Sequence, residues 1–199
     1  YSGINRPFEF GYFNPIASHL EVELNDRLTT LNTDGANAVW QFHLDCLIKK
    51  GHRLSINFLI DEFILDPDIE IGKEHGKAFS GKYVFSTEVY ANYQMSFYTS
   101  GIYVGTPTFR HGEGQNNFVN NNRPLGWNYG SDGTEISIGA CFYNKDKIIF
   151  DISLGSINYG EETLVINPYE RYSDYLKGKF PSGDTFNYKY IKKNIRYKL

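Results

Sequence analysis

The sequence predicts an all-β chain, an antiparallel β-barrel of the kind that spans a membrane. Three observations lead there. Apolar and polar residues alternate with period two in one segment after another. The connections between those segments alternate between short and long. No apolar run approaches the ~20 residues that a transmembrane helix needs, and the mean hydropathy is −0.44. A spanning strand needs only ~9–11 residues, and only alternate ones must be apolar.

The first strand is expected at Phe8–Tyr12, where Phe8, Phe10 and Tyr12 alternate with Glu9 and Gly11. The clearest pattern runs from Ala38 to Ile48: Trp40, Phe42, Leu44 and Cys46 alternate with Gln41, His43 and Asp45. That spacing sends one set to each side of a strand. Lys49-Lys50-Gly51-His52 is a turn with a glycine for positive φ. Leu54, Ile56, Phe58 and Ile60 then alternate with Ser55, Asn57 and Asp61, which completes a hairpin. Tyr83, Phe85, Thr87 and Val89 mark a further strand, and Met95 to Val104 a less regular one. Ile136, Ile138, Ala140 and Phe142 form one side of the next strand. After a turn at Asn144–Lys147, Ile148, Phe150, Ile152 and Leu154 form one side of its partner. Near the end, Phe186, Tyr188 and Tyr190 alternate with Asn187 and Lys189, and Lys192-Lys193-Asn194 is expected to turn the chain.

Short turns are thus expected near 49–52, 91–94, 144–147 and 192–194, and long loops near 14–37, 64–79, 105–133 and 158–184. Membrane barrels sort their connections this way, with short turns at one rim and long loops at the other. A soluble sandwich has water at both ends and no cause for such sorting. The last segment, Ile195–Leu199, reads as a strand just beginning. The expectation is therefore a single barrel region over residues 1–199, cut at both ends, with about eight or nine strands of a larger barrel.

Composition narrows the function. The 199 residues carry a net charge of −3 and no basic stripe, which argues against nucleic acid as a partner. Tyr (16) and Phe (15) are abundant, as in the aromatic girdles of barrels. The two cysteines, Cys46 and Cys141, are too few for a disulfide scaffold or a Cys-rich zinc site. His43, Asp45, Asp61, Glu88, Glu135 and Asp151 all fall on the polar side of strands, where a wet lumen tolerates charge. No Gly-x-Ser-x-Gly elbow is present, and no spacing selects a catalytic pair. The chain does not read as an enzyme. Asp61, Glu62, Asp66, Asp68 and Glu70 cluster around Pro67 without the spacing of an EF-hand, so they read as a solvated loop. Neither a metal nor a cofactor is expected.

The longest loop is the most informative. It opens on Arg110-His111, passes through several asparagines, and reaches Arg123-Pro124-Leu125-Gly126-Trp127. Amide and guanidinium groups bond sugar hydroxyls, and an indole covers the apolar face of a sugar ring. Arg110, His111, Arg123 and Trp127 are accordingly the candidate glycan contacts. The competing reading is an ordered polar loop folded over the barrel mouth, with Trp127 packed inside.

Three landmarks carry a resemblance to a known family. Asn14-Pro15-Ile16 follows an aromatic strand, and Leu59-Ile60-Asp61-Glu62-Phe63 ends another. Thr108-Phe109-Arg110-His111 is followed at a distance by Arg123-Pro124-Leu125-Gly126. In order and spacing these resemble the Wzi-like capsule assembly proteins of outer membranes, in particular their divergent bacteroidete-type members. The resemblance runs from about Phe8 to Glu161. The chain departs from the family at Ser96-Phe97-Tyr98, where a Glu-Tyr pair is common. The resemblance implies a large bacterial outer-membrane barrel that holds capsular polysaccharide or exopolysaccharide as a lectin, with outer-membrane lipid around it. Two rival readings stand beside it: a porin-like channel for small solutes, and a soluble β-rich carbohydrate-active domain.

Overall fold

The computed structural model describes residues 39–62, 75–90, 92–110, 119–120, 123–144, 148–164 and 180–197. These contain strands and no helix. The strands are β1 (Trp40–Lys49), β2 (His52–Glu62), β3 (Gly76–Tyr90), β4 (Tyr93–Val104), β5 (Val119–Asn120), β6 (Arg123–Pro124), β7 (Gly133–Asn144), β8 (Ile148–Tyr159) and β9 (Phe186–Tyr197). Seven form one antiparallel sheet in the order β1-β2-β3-β4-β7-β8-β9, and β5 pairs only with β6. Every neighbour in the large sheet is also the next long strand in the chain, so the sheet is a meander. β1 and β9 are its two edges among the described residues. The strand expected at Phe8–Tyr12 lies outside them.

The meander sorts the connections as expected. β1–β2, β3–β4 and β7–β8 are joined by short turns at one end. β2–β3, β4–β7 and β8–β9 are joined at the other end by long loops. Gly51 takes φ 80 in the first turn, a region where an L side chain is strained. Two expectations need correction. Lys192, Lys193 and Asn194 do not turn the chain; they lie within β9, paired with Ser153, Ile152 and Asp151. Ile195 therefore continues β9 and does not begin a ninth strand. Three consecutive polar residues resemble a turn, yet a long partner strand holds them in the ladder. In addition, β3 begins at Gly76, so the loop expected over 64–79 is shorter than its polar composition implied.

Residues paired across antiparallel strands point to the same side, so the registers define two faces. Trp40, Phe42, Leu44, Leu54, Ile56, Phe58, Ile138, Phe142, Phe150 and Ile152 all share one face. No second sheet packs on it among the described residues. Phe42 is 60% exposed, Leu44 54% and Ile138 55%. The opposite face is polar and carries Asn57, Ser80, Lys82, Ser96, Ser137, Asp151 and Ser153. Cys46 and Cys141 are both free, one on each face.

On β9 the apolar register is the opposite of the one expected. Ile191 and Ile195 face the apolar side, while Phe186, Tyr188 and Tyr190 face the polar side. A tyrosine ring reads as hydrophobic in a periodic pattern, but its hydroxyl needs a partner. On the polar face Tyr190 finds one in Glu135. Tyr98 and Tyr190 lie directly opposite Gly139 and Gly155. A Cβ at either glycine would stand 2.3 Å from the facing ring, so each ring occupies the space its glycine leaves.

Candidate functional site

The apolar core lies on the polar face, at the loop end. Ala78, Val104 and Ile157 come from strands, and Phe109, Trp127 and Leu164 from the loops folded onto them. The described parts of the β4–β7 and β8–β9 connections meet there and form one cap.

Asp132 is the knot of that cap. It is fully buried and sits at φ 60, a conformation Asp tolerates better than most residues. Its Oδ1 accepts from Thr106 Oγ1 at 2.8 Å and from the Ser182 amide at 2.9 Å. Its Oδ2 accepts from Ser182 Oγ at 2.5 Å and from the Glu162 amide at 3.2 Å. Four donors fill the carboxylate and tie together the loops that follow β4, β8 and the chain leading into β9. A second carboxylate, Asp61 at the end of β2, accepts the amide of Phe109. Phe109 is held at φ 67, which is strained for a residue with a side chain.

The candidate glycan residues take different places in this cap. Arg110 is buried, its side chain 1% exposed, and its Nη1 donates to Glu162 Oε2 at 2.7 Å and to the Glu162 carbonyl at 3.0 Å. Trp127 is buried as well, at 6% exposure, and its Nε1 donates to Glu135 Oε2 at 2.7 Å. It heads a run of rings through Tyr129, Tyr159 and Phe186, with centroids 5.1, 4.8 and 5.4 Å apart. Burial there raises the pKa of the Tyr129 phenol, with Tyr159, Tyr188 and Glu135 adding to the effect. Arg123, in β6, is exposed. His111 lies outside the described residues. Of the two readings of the long loop, a packed loop describes Arg110 and Trp127, and Arg123 alone of the four is shown presented to solvent.

Beneath this cap lies a cleft of about 370 Å³ between the polar face and the segment Leu125-Gly126-Trp127, within the ~300–1,000 Å³ range of small-molecule sites. Its walls are mostly apolar, with Leu59, Ile102, Val104 and Phe109 among them. Its polar groups are Gln41, Asn57 and Ser80, one from each of β1, β2 and β3. Gln41 Nε2 donates to Asn57 Oδ1 at 3.0 Å, His43 Nδ1 shares that oxygen at 2.7 Å, and Asn57 Nδ2 donates to Ser80 Oγ at 3.1 Å. This ladder was not among the candidate residues. The one signal for it in the sequence is that Gln41, His43 and Asn57 occupy the polar register of the best hairpin. Nothing local points to Asp132, because Asp-Gly reads as an ordinary turn.

No three side chains of the metal-ligating kind cluster among the described residues. Comparison with family models, curated proteins and solved structures finds no match to this chain.

Proposed function

We propose that the chain is part of an outer-membrane β-barrel whose capped, loop-bearing rim engages polysaccharide at the bacterial surface. One observation carries the membrane reading. Among the described residues, the last apolar residue of the exposed face, counted toward the loop end, is Trp40 on β1, Ile60 on β2, Phe79 on β3, Tyr103 on β4, Ile136 on β7, Leu154 on β8 and Ile191 on β9. Along the hydrogen-bonded rows this boundary falls by two residues at three of the six strand-to-strand steps and stays level at the other three. From Trp40 to Ile191 it falls by six residues, ~20 Å at ~3.4 Å per residue, across six inter-strand spacings, ~29 Å at ~4.8 Å each. The slope is about 35°, and barrel strands tilt ~35–45° from the membrane normal. A level band of lipid crossing tilted strands draws just such a line.

Below that line no Asp or Glu faces outward among the described residues. Two lysines lie there, Lys193 on the edge strand β9 and Lys49 beside the bulge at the turn end of β1, and their long stems can carry the ammonium toward an interface. With lipid on the apolar face, the polar face lines the lumen and the cap closes its outer mouth. Polysaccharide as the partner follows from the resemblance to the Wzi-like proteins, from exposed Arg123, and from the amide-lined cleft under Trp127. The test compares surface-retained with shed polysaccharide in cells that carry or lack the full-length protein. Unchanged retention on deletion removes the capsule reading and leaves the channel reading in its place.

A further inference from the structure

We infer that the cleft beneath Trp127 takes an uncharged sugar unit and discriminates against acidic ones; this rests on the polysaccharide reading above. Among the described residues, no Lys, Arg, Asp, Glu or His lines the cleft. Of the cations the sequence offers to an acidic polymer, Arg110 is buried in its pair with Glu162. A uronate or phosphate entering the cleft loses water and gains no counter-charge, a loss that polar contacts alone do not offset. Discrimination of this kind comes from what a site withholds as much as from what it offers.

What the cleft offers suits a neutral ring. Asn57 Oδ1 is filled by Gln41 and His43, but Asn57 Nδ2 keeps one hydrogen after bonding Ser80. Gln41 keeps its Oε1 acceptor and a second hydrogen, and Ser80 keeps its own hydroxyl hydrogen. Donors and an acceptor thus stand side by side across three strands, and a sugar hydroxyl both donates and accepts. Leu59, Ile102 and Trp127 supply an apolar wall for the C–H face of the ring. Arg123 is not among the lining residues.

The experiment presents the full-length protein, in detergent micelles, to an array of oligosaccharides. The array carries neutral hexose and N-acetylhexosamine oligomers beside uronate- and phosphate-bearing ones. Binding is expected for neutral oligomers and to be unaffected by added salt. Ser80→Ala, which removes one hydroxyl and leaves the rest of the ladder, is expected to weaken it several-fold. Asn57→Leu is expected to weaken it by about tenfold or more, as for loss of one to two hydrogen bonds. Heat-resistant migration on gels checks that each variant is folded. Preferential, salt-sensitive binding of acidic oligomers overturns the inference and spares the polysaccharide reading. Unchanged neutral binding in folded Ser80→Ala and Asn57→Leu proteins overturns the choice of cleft. No binding of either class overturns both.

Discussion

Trp127 and Tyr190, 63 residues apart in the chain, meet on the two oxygens of one carboxylate. The Glu135 side chain on β7 accepts the indole N–H at 2.7 Å and the phenol O–H at 2.5 Å. It bridges the cap to β9 across the width of β8. Charge-assisted bonds of this kind are stronger than neutral ones, and losing the acceptor leaves two partly buried donors unmatched.

Replacement of Glu135 by Leu should therefore loosen the cap. The expected loss is about 1–3 kcal/mol for each donor left without a partner. In a Trp40→Phe background Trp127 is the sole tryptophan of these 199 residues, which carry 2. Its emission should shift to the red in Glu135→Leu and stay blue in Glu135→Gln, which keeps an acceptor. An unshifted spectrum in Glu135→Leu means that packing on the ring stack holds Trp127 without the carboxylate.

The Arg110–Glu162 pair should show the asymmetry of buried charges. Removing one partner strands the other, at a cost of about 3–5 kcal/mol. The double variant Arg110→Met/Glu162→Met should recover a large part of that loss, because neither charge is then left alone. Thermal unfolding in detergent of the two single variants and the double gives the coupling directly. Additive losses would show that the two side chains act separately.

Much of the fold was legible before any coordinates, and the reason is physical. A period-two pattern with one apolar side leaves no freedom of register, since a slip of one residue turns Phe42, Phe58 and their neighbours to the wrong side. The sorting of connections followed from the same meander. The failures fall where a residue has two natures. Tyr188 and Tyr190 counted as apolar and proved to face the polar side. Lys192-Lys193-Asn194 counted as a turn, though nothing prevents a β8 of 12 residues from pairing with them. The cap was legible only as a loop. Arg110 and Trp127 were chosen for chemistry that suits a ligand, yet the same chemistry suits Glu162 and Glu135. Which partner wins depends on contacts between residues 52 and 8 positions apart, and no local pattern encodes them.

The glycines opposite Tyr98 and Tyr190 should be among the least tolerant positions of the sheet. Gly155→Ala places a methyl 2.3 Å from Tyr190 Cζ. Overpacking of this sort costs about 1–3 kcal/mol. A second change, Tyr190→Ser, should make the alanine nearly neutral, because the ring it strikes is gone. Equal losses from Gly155→Ala with and without the ring would place the defect in the backbone instead.

The two faces should answer oppositely to the same substitution. Phe58→Arg and Ile152→Arg bring a guanidinium into the apolar belt and should cost about 2–4 kcal/mol if they lie near the bilayer midplane. Asn194→Arg, on the polar face, should fold and insert normally. Assembly into lipid vesicles, followed by gel mobility and protease protection, separates the two outcomes. Equal tolerance of all three substitutions contradicts a lipid-facing belt.

The cap makes the channel reading testable against the lectin reading. Loops tied only at their stems fluctuate and leave a lumen open, as porins require. Here the ties run between loops and to the strand ends: Asp132 binds Thr106, Ser182 and the Glu162 amide, and Asp61 at the end of β2 binds Phe109. Each bond is individually modest, about 0.5–1.5 kcal/mol, and somewhat more where the acceptor is charged. Together they cross the polar face at the loop end, so a fluctuation that opens the mouth must break several at once. The full-length protein in a planar bilayer is therefore expected to stay closed. Asp132→Ala removes the acceptor for four donors in one step and should give intermittent conductance while the protein still migrates as a folded band. Steady conductance of the unaltered protein would mean that the cap leaves a path beside it, and the polar face, with Lys82, Asp151 and Lys192 along it, would then be the wall of a pore.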